Sequence, residues 1–87
     1  MTITIKLKDL LNESLEMNFI ADDLFKYINN LKEDKILLDF KGIEFISLAF
    51  AQEYVYQKQN SFKRIYETNL SKEVKPMLRL VETRKKR

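Results

Sequence analysis

The chain has 87 residues, a formal charge of +3, and 45% hydrophobic against 33% charged residues, the proportions of one folded domain and not of a disordered segment. It contains neither Cys nor His, which excludes disulfides, thiolate zinc centres, cysteine nucleophiles and the commonest general base and metal ligand. Its single glycine, Gly42, excludes a Gly-rich phosphate loop, and no apolar run nears the ~18 residues of a membrane helix.

The positive charge is local. Four of the 16 basic residues form the run Arg84-Lys85-Lys86-Arg87, which leaves 12 basic against 13 acidic residues, a net of −1, over residues 1–83. We therefore read residues 1–83 as one domain and 84–87 as a basic tail, a solvated terminus whose alternative use is phosphate binding. Met1-Thr2-Ile3-Thr4 does not read as a signal peptide, and the expectation is a cytoplasmic domain.

In chain order, Thr2-Ile3-Thr4-Ile5-Lys6-Leu7 alternates polar and apolar residues as a half-buried strand does, with Ile3, Ile5 and Leu7 facing the core. Residues 9–14 break the alternation and read as a connection with a helical turn. Ile20, Leu24, Ile28 and Leu31 then share one stripe of a helix over about 17–32, with Asp22, Asp23, Lys26 and Asn30 off it. The apolar run Ile36-Leu37-Leu38-Asp39-Phe40 predicts a central strand, buried on both faces and parallel to its neighbours. Lys41-Gly42 is a turn. A second helix is expected over 48–59, with Leu48, Ala51, Val55 and Lys58 along one side and Phe50 stacked on Tyr54. Ser61–Glu67 reads as an edge strand because of its charges. Asn69 and Ser71 are N-cap candidates for a last helix packed through Val74, Met77, Leu78 and Val81, with Pro76 in its first turns. The fold class is α/β, in the order β-α-β-α-β-α, with a mixed or parallel sheet of three or four strands and helices mainly on one face.

Few residues offer chemistry. Asp22 and Asp23 point about 100° apart on a helix and so form no catalytic pair; they read as solvated surface. Asp39 interrupts an apolar strand near its carboxyl end, where open α/β sheets gather ligands, and the simpler role is to accept hydrogen bonds from the turn that follows. Tyr54, Tyr56 and Tyr66 beside Lys58, Lys63 and Arg64 read as core packing with polar tips snorkelling to solvent, and base stacking is the alternative. Ser47 is an N-cap candidate at a helix start, which is also a place for a phosphate. No enzyme is expected, and neither a cofactor nor a metal.

The string Ile36-Leu37-Leu38-Asp39-Phe40-Lys41-Gly42-Ile43-Glu44-Phe45-Ile46-Ser47 resembles the signature of the STAS superfamily, which takes its name from sulphate transporters and anti-sigma-factor antagonists. It is most similar to small prokaryotic STAS-like domains of unknown function, at Asp39, Phe40, Gly42, Phe45, Ile46, Ser47, Phe50, Ala51 and Glu53. The resemblance implies a non-catalytic, anti-sigma-factor-antagonist-like module in prokaryotic signalling or transcription regulation. Such a module docks a partner protein through the helix after the Asp39–Ser47 turn, with Ser47, Gln52, Glu53 and Asp39 at the contact. A histidine-kinase-type ATPase or a transcription regulator is the implied partner.

The chain departs from the family pattern in four places. Aligned on Asp39 and Gly42, Ala49 stands where antagonists carry the phosphorylated serine, and Ser47 stands where they carry an Asp. The usual phospho-switch is thus not implied, and Ser47 is the remaining candidate phosphoacceptor. Gln52 replaces an acidic residue, and the second N-terminal strand of typical members is missing or short. A second functional reading, a small nucleic-acid-associated protein, would use Arg84, Lys85, Lys86, Arg87, Lys63 and Arg64. An exposed sheet edge and large aromatics such as Phe50 and Phe62 also leave room for a homodimer.

Overall fold

The computed structural model describes residues 1–12 and 14–85, with Lys85 described through its backbone. Its elements are β1 (Thr2–Lys6), α1 (Leu7–Leu10), β2 (Ser14–Leu15), α2 (Asn18–Asn29), β3 (Lys35–Asp39), β4 (Phe45–Ile46), α3 (Leu48–Asn60), β5 (Arg64–Thr68) and α4 (Val74–Lys85). The main sheet is three-stranded and wholly parallel in the order β1-β3-β5, with Ile3, Ile36 and Ile65 in register, as are Ile5, Leu38 and Glu67. Parallel neighbours need crossover connections, and α2 and α3 supply them.

The α/β class, the central place of β3 and the edge place of β5 agree with the sequence reading. Three short elements do not appear in the order β-α-β-α-β-α. Leu7 is buried but opens α1 instead of ending β1, and β2 and β4 pair parallel as a separate two-stranded sheet, Ser14 with Phe45 and Leu15 with Ile46. Two-residue strands carry too little alternation to be seen in a sequence.

Helices cover one face of the main sheet. The helix side buries Ile5, Ile36 and Leu38, whereas Thr2, Thr4, Lys6, Arg64 and Tyr66 on the opposite side are exposed. The expectation that β3 is buried on both faces is therefore corrected. Lys35, Leu37 and Asp39 are half-buried between the exposed residues of β1 and β5, because an apolar run in a short strand does not say whether a second helical layer exists.

Helix α2 buries Ala21, Leu24, Phe25 and Ile28, while Ile20 and Leu31 are half-buried. The buried stripe is thus rotated by about one residue from the sequence reading. Asp22, expected on the solvated surface, is half-buried and accepts a hydrogen bond from Gln57 Nε2 at 3.0 Å while pairing with Lys26 at 3.2 Å.

On α3, Ala51 and Val55 are buried as expected, and Leu48 is exposed. The Phe50 and Tyr54 rings stack with centroids 5.8 Å apart. Ser71 Oγ accepts from Val74 N–H at 3.1 Å, so Ser71 caps α4, and Val74, Leu78 and Val81 pack inward. Asn69 instead sits at φ +59°, a left-handed conformation that Asn tolerates better than most residues. Helix α4 carries Arg84 and Lys85 of the basic run, and Lys86 and Arg87 lie outside the described residues.

The β3–β4 connection depends on one residue. Ile43 N–H donates to the Phe40 carbonyl at 2.9 Å, closing a turn whose third residue, Gly42, has φ +85°, where glycine is favoured. A Cβ at Gly42 would also lie 2.7 Å from Lys8 Cδ. We expect Gly42→Ala to cost about 1–2 kcal/mol, chiefly from the backbone because the Lys8 stem can move. Urea denaturation measures this directly.

Candidate functional site

The residues singled out from the sequence separate into two places. Gln52 and Glu53 line a surface groove of about 400 Å³ with Asn18, Ala49 and Tyr56. Asp39 lines a different recess, of about 490 Å³, with Lys6, Lys8, Asp9, Lys41, Gly42 and Asn69. No lining residue is shared.

At the second place Asp39 performs the turn role. Its Oδ1 accepts from Asn69 Nδ2 and from Lys41 N–H, both at 2.9 Å. Those two bonds, with the Lys6 and Lys41 charges nearby, hold its carboxyl below the ordinary carboxylate range. Its contribution to stability is complete above about pH 4 and is lost as the pH falls below that. Phe40 N–H donates to the Thr68 carbonyl at 3.0 Å, so the ends of β3 and β5 are joined through both backbone and side chain. Asp39 is occupied within the fold.

The groove is built by the small sheet. Because β2 and β4 run parallel, the starts of α2 and α3 leave the same end side by side. Ser47 joins them: its Oγ accepts from Phe50 N–H at 3.0 Å as the α3 N-cap, and its hydroxyl donates to the Glu16 carbonyl just before α2. Ser47 N–H also donates to the Leu15 carbonyl at 2.9 Å. The N-cap expectation for Ser47 holds, and the bond to Glu16 could not be seen in the sequence.

Along α3, Ala49, Gln52, Glu53 and Tyr56 recur at helical spacing and form one wall of the groove. Glu53 is half-buried, and its Oε2 accepts from Gln57 Nε2 at 2.7 Å, an amide that also reaches Asp22. Gln52 and Ala49 are exposed.

Met17 and Phe19 at the start of α2, with Phe45 on β4, are 52%, 56% and 47% exposed; Leu48 and Tyr56 on α3 are comparably open. The sequence reading did not single out these five as contacts. Phe19 was the legible signal, an aromatic at a helix start off the buried stripe. Tyr54 is fully buried, whereas Tyr56 and Tyr66 are about half exposed.

Of the basic residues of the nucleic-acid reading, Lys63, Arg64 and Arg84 are described with their side chains and lie just before β5, in β5 and in α4. Lys63 Nζ donates to the Leu31 and Glu33 carbonyls, closing the α2–β3 connection. Arg64 lies on the uncovered sheet face, and Arg84 lies near the end of α4. Phe50 is fully buried and cannot serve a dimer contact, whereas Phe62 is exposed.

The molecule is thus a small α/β domain with helices on one face of its main sheet and a surface groove lined by Asn18 of α2 and by Ala49, Gln52, Glu53 and Tyr56 of α3. No family model, curated protein or solved structure matches the chain. No helix among the described residues is long and apolar enough to cross a membrane.

Proposed function

We propose that this chain is a STAS-like, non-catalytic protein-interaction module of prokaryotic cytoplasmic signalling or transcription regulation, which docks a partner protein through the α2–α3 groove. The observation that carries the reading is the set of exposed apolar residues, Met17, Phe19, Phe45, Leu48 and Tyr56, on the elements that flank Ala49 and Gln52. An apolar surface rimmed by polar groups marks a protein contact more often than a catalytic pocket. The resemblance of the Asp39–Glu53 string to STAS-like domains points to the same helix. A histidine-kinase-type ATPase is the first partner to consider, and a transcription regulator the second. The residue aligned with the usual phosphoserine, Ala49, lies in the groove wall. This module therefore works without a phosphate at that place.

Capture from the native host's lysate, with nuclease present, tests the reading when wild type is compared with Leu48→Glu/Gln52→Lys. Both positions are exposed, so the fold is expected to persist. Recovery of the specific partner should fall by about tenfold or more, equivalent to ~1.4 kcal/mol. A control change at exposed Lys32, Lys32→Glu, should leave recovery unchanged. Equal recovery with the wild-type and groove-variant baits overturns the proposal.

A further inference from the structure

The main sheet ends on β1, and among the described residues no backbone group pairs with its outer side. An edge strand leaves a row of outward N–H and C=O groups that another strand can complete. β1 lacks the usual protections: its register with β3 is continuous, it holds no Pro, and its one charge, Lys6, is the last residue. Beside this edge runs a shallow groove of about 420 Å³, lined by Ile3, Thr4, Ile5, Leu10 and Tyr27 and by the charged Lys6 and Asp9. Leu10 and Tyr27 are 41% and 45% exposed, an apolar flank on the helix side of the edge.

We propose that β1 is a self-association edge, at which two copies pair antiparallel about a two-fold axis at Thr4. The alternation Thr2-Ile3-Thr4-Ile5-Lys6 is symmetric about Thr4 in its polar and apolar positions. In this register Thr4 opposes Thr4, Ile3 of one copy opposes Ile5 of the other, and Thr2 opposes Lys6. The two-fold keeps the helix layers on the same side, so the isoleucines, Leu10 and Tyr27 of both copies meet along one seam. The two Lys6 ammoniums fall about 13 Å apart along the strands, by the ~3.3 Å rise per residue, beyond the ~8 Å reach of charge at physiological salt. The other edge fits a second copy less well. Pairing β5 about Tyr66 sets Ile65 against Glu67, whose carboxylate already holds Tyr54 and Lys58.

The test is sedimentation equilibrium of wild type, Thr4→Lys, Thr4→Glu and Leu10→Asp from micromolar to near-millimolar concentration, with circular dichroism melts to verify folding. Thr4 and Leu10 are exposed. Wild type should dimerise, and each variant alone should do so at least about tenfold more weakly, a ~1.4 kcal/mol effect. An equimolar mixture of Thr4→Lys and Thr4→Glu should recover the dimer, because the register sets opposite charges face to face. A wild type that stays monomeric, which would leave the edge for a strand of another protein, overturns the proposal. So does a variant that dimerises like wild type, or a mixture that remains apart.

Discussion

Tyr54→Ala is expected to destabilise the domain by about 3–5 kcal/mol, a large part of the ~5–15 kcal/mol that holds a small domain folded. Tyr54 is fully buried, and its ring meets those of Phe25, Phe40 and Phe50 at 5.7, 6.0 and 5.8 Å. Those three aromatics come from α2, from the end of β3 and from α3, so a cavity here loosens both crossover helices at the sheet. The phenol adds a polar anchor. Its OH donates to Glu67 Oε2 on β5, which Lys58 Nζ also approaches at 3.0 Å, and Lys58 reaches Glu82 on α4 at 3.7 Å.

Tyr54→Phe keeps the packing and removes only the hydroxyl, so it should cost about 1–2 kcal/mol. Urea denaturation measures both values, and a double-mutant cycle with Glu67→Gln isolates the shared term. If Tyr54→Phe costs as much as Tyr54→Ala, the assignment of the energy to ring packing is wrong.

The same residue sets an alkaline limit. Burial, with the Glu67 carboxylate beside it, holds the Tyr54 phenol well above its ordinary value. The folded chain keeps this proton, whereas the unfolded chain releases it from about pH 10. The associated stability is complete below about pH 10 and is lost progressively as the pH rises above it. Tyr54→Phe should flatten that alkaline decline, as read from midpoints in a pH series of denaturation curves.

Ser47→Ala has the second largest expected effect, about 1.5–2.5 kcal/mol, of which the lost helix cap supplies ~1 kcal/mol and the bond to Glu16 the rest. At roughly 4–8 °C per kcal/mol for a domain of this size, the melting temperature should fall by about 6–20 °C. Ser47→Asp should recover the cap alone, since a carboxylate accepts from Phe50 N–H but donates nothing to the Glu16 carbonyl. Full recovery by Asp would show that the Glu16 bond contributes nothing. A phosphate on Ser47 would likewise favour the α3 N-terminus and release the start of α2. Any modification at Ser47 would thus act on the geometry of the groove and not only on its charge.

The elements legible in the sequence were those with several repeats of a period. β1, α2 and α3 each hold enough residues for alternation or a helical stripe to stand out, β3 shows as a short apolar run, and the Phe50–Tyr54 stack follows from helix geometry alone. The N-caps Ser47 and Ser71 were legible for a similar reason, because capping is a local bond between a side chain and a backbone three residues on. Asp39 could be read as a turn acceptor, and Gly42 as a positive-φ position, from their neighbours.

What only the tertiary structure decided is every pairing between distant residues. The two-residue strands β2 and β4 exist because each finds the other across 31 positions, and no local period announces them. Their pairing lets Ser47 reach Glu16, and the fold places Asp39 and Gln52 in separate recesses. Lys63 looked like part of a basic surface and instead closes a loop on two carbonyls. That the helices lie mainly on one face was legible, but which residues of β3 this leaves open was not. A leucine in an apolar run contributes equally to a strand covered on both sides and to one covered on a single side, and Leu37 lies half-buried on a face that no helix among the described residues covers.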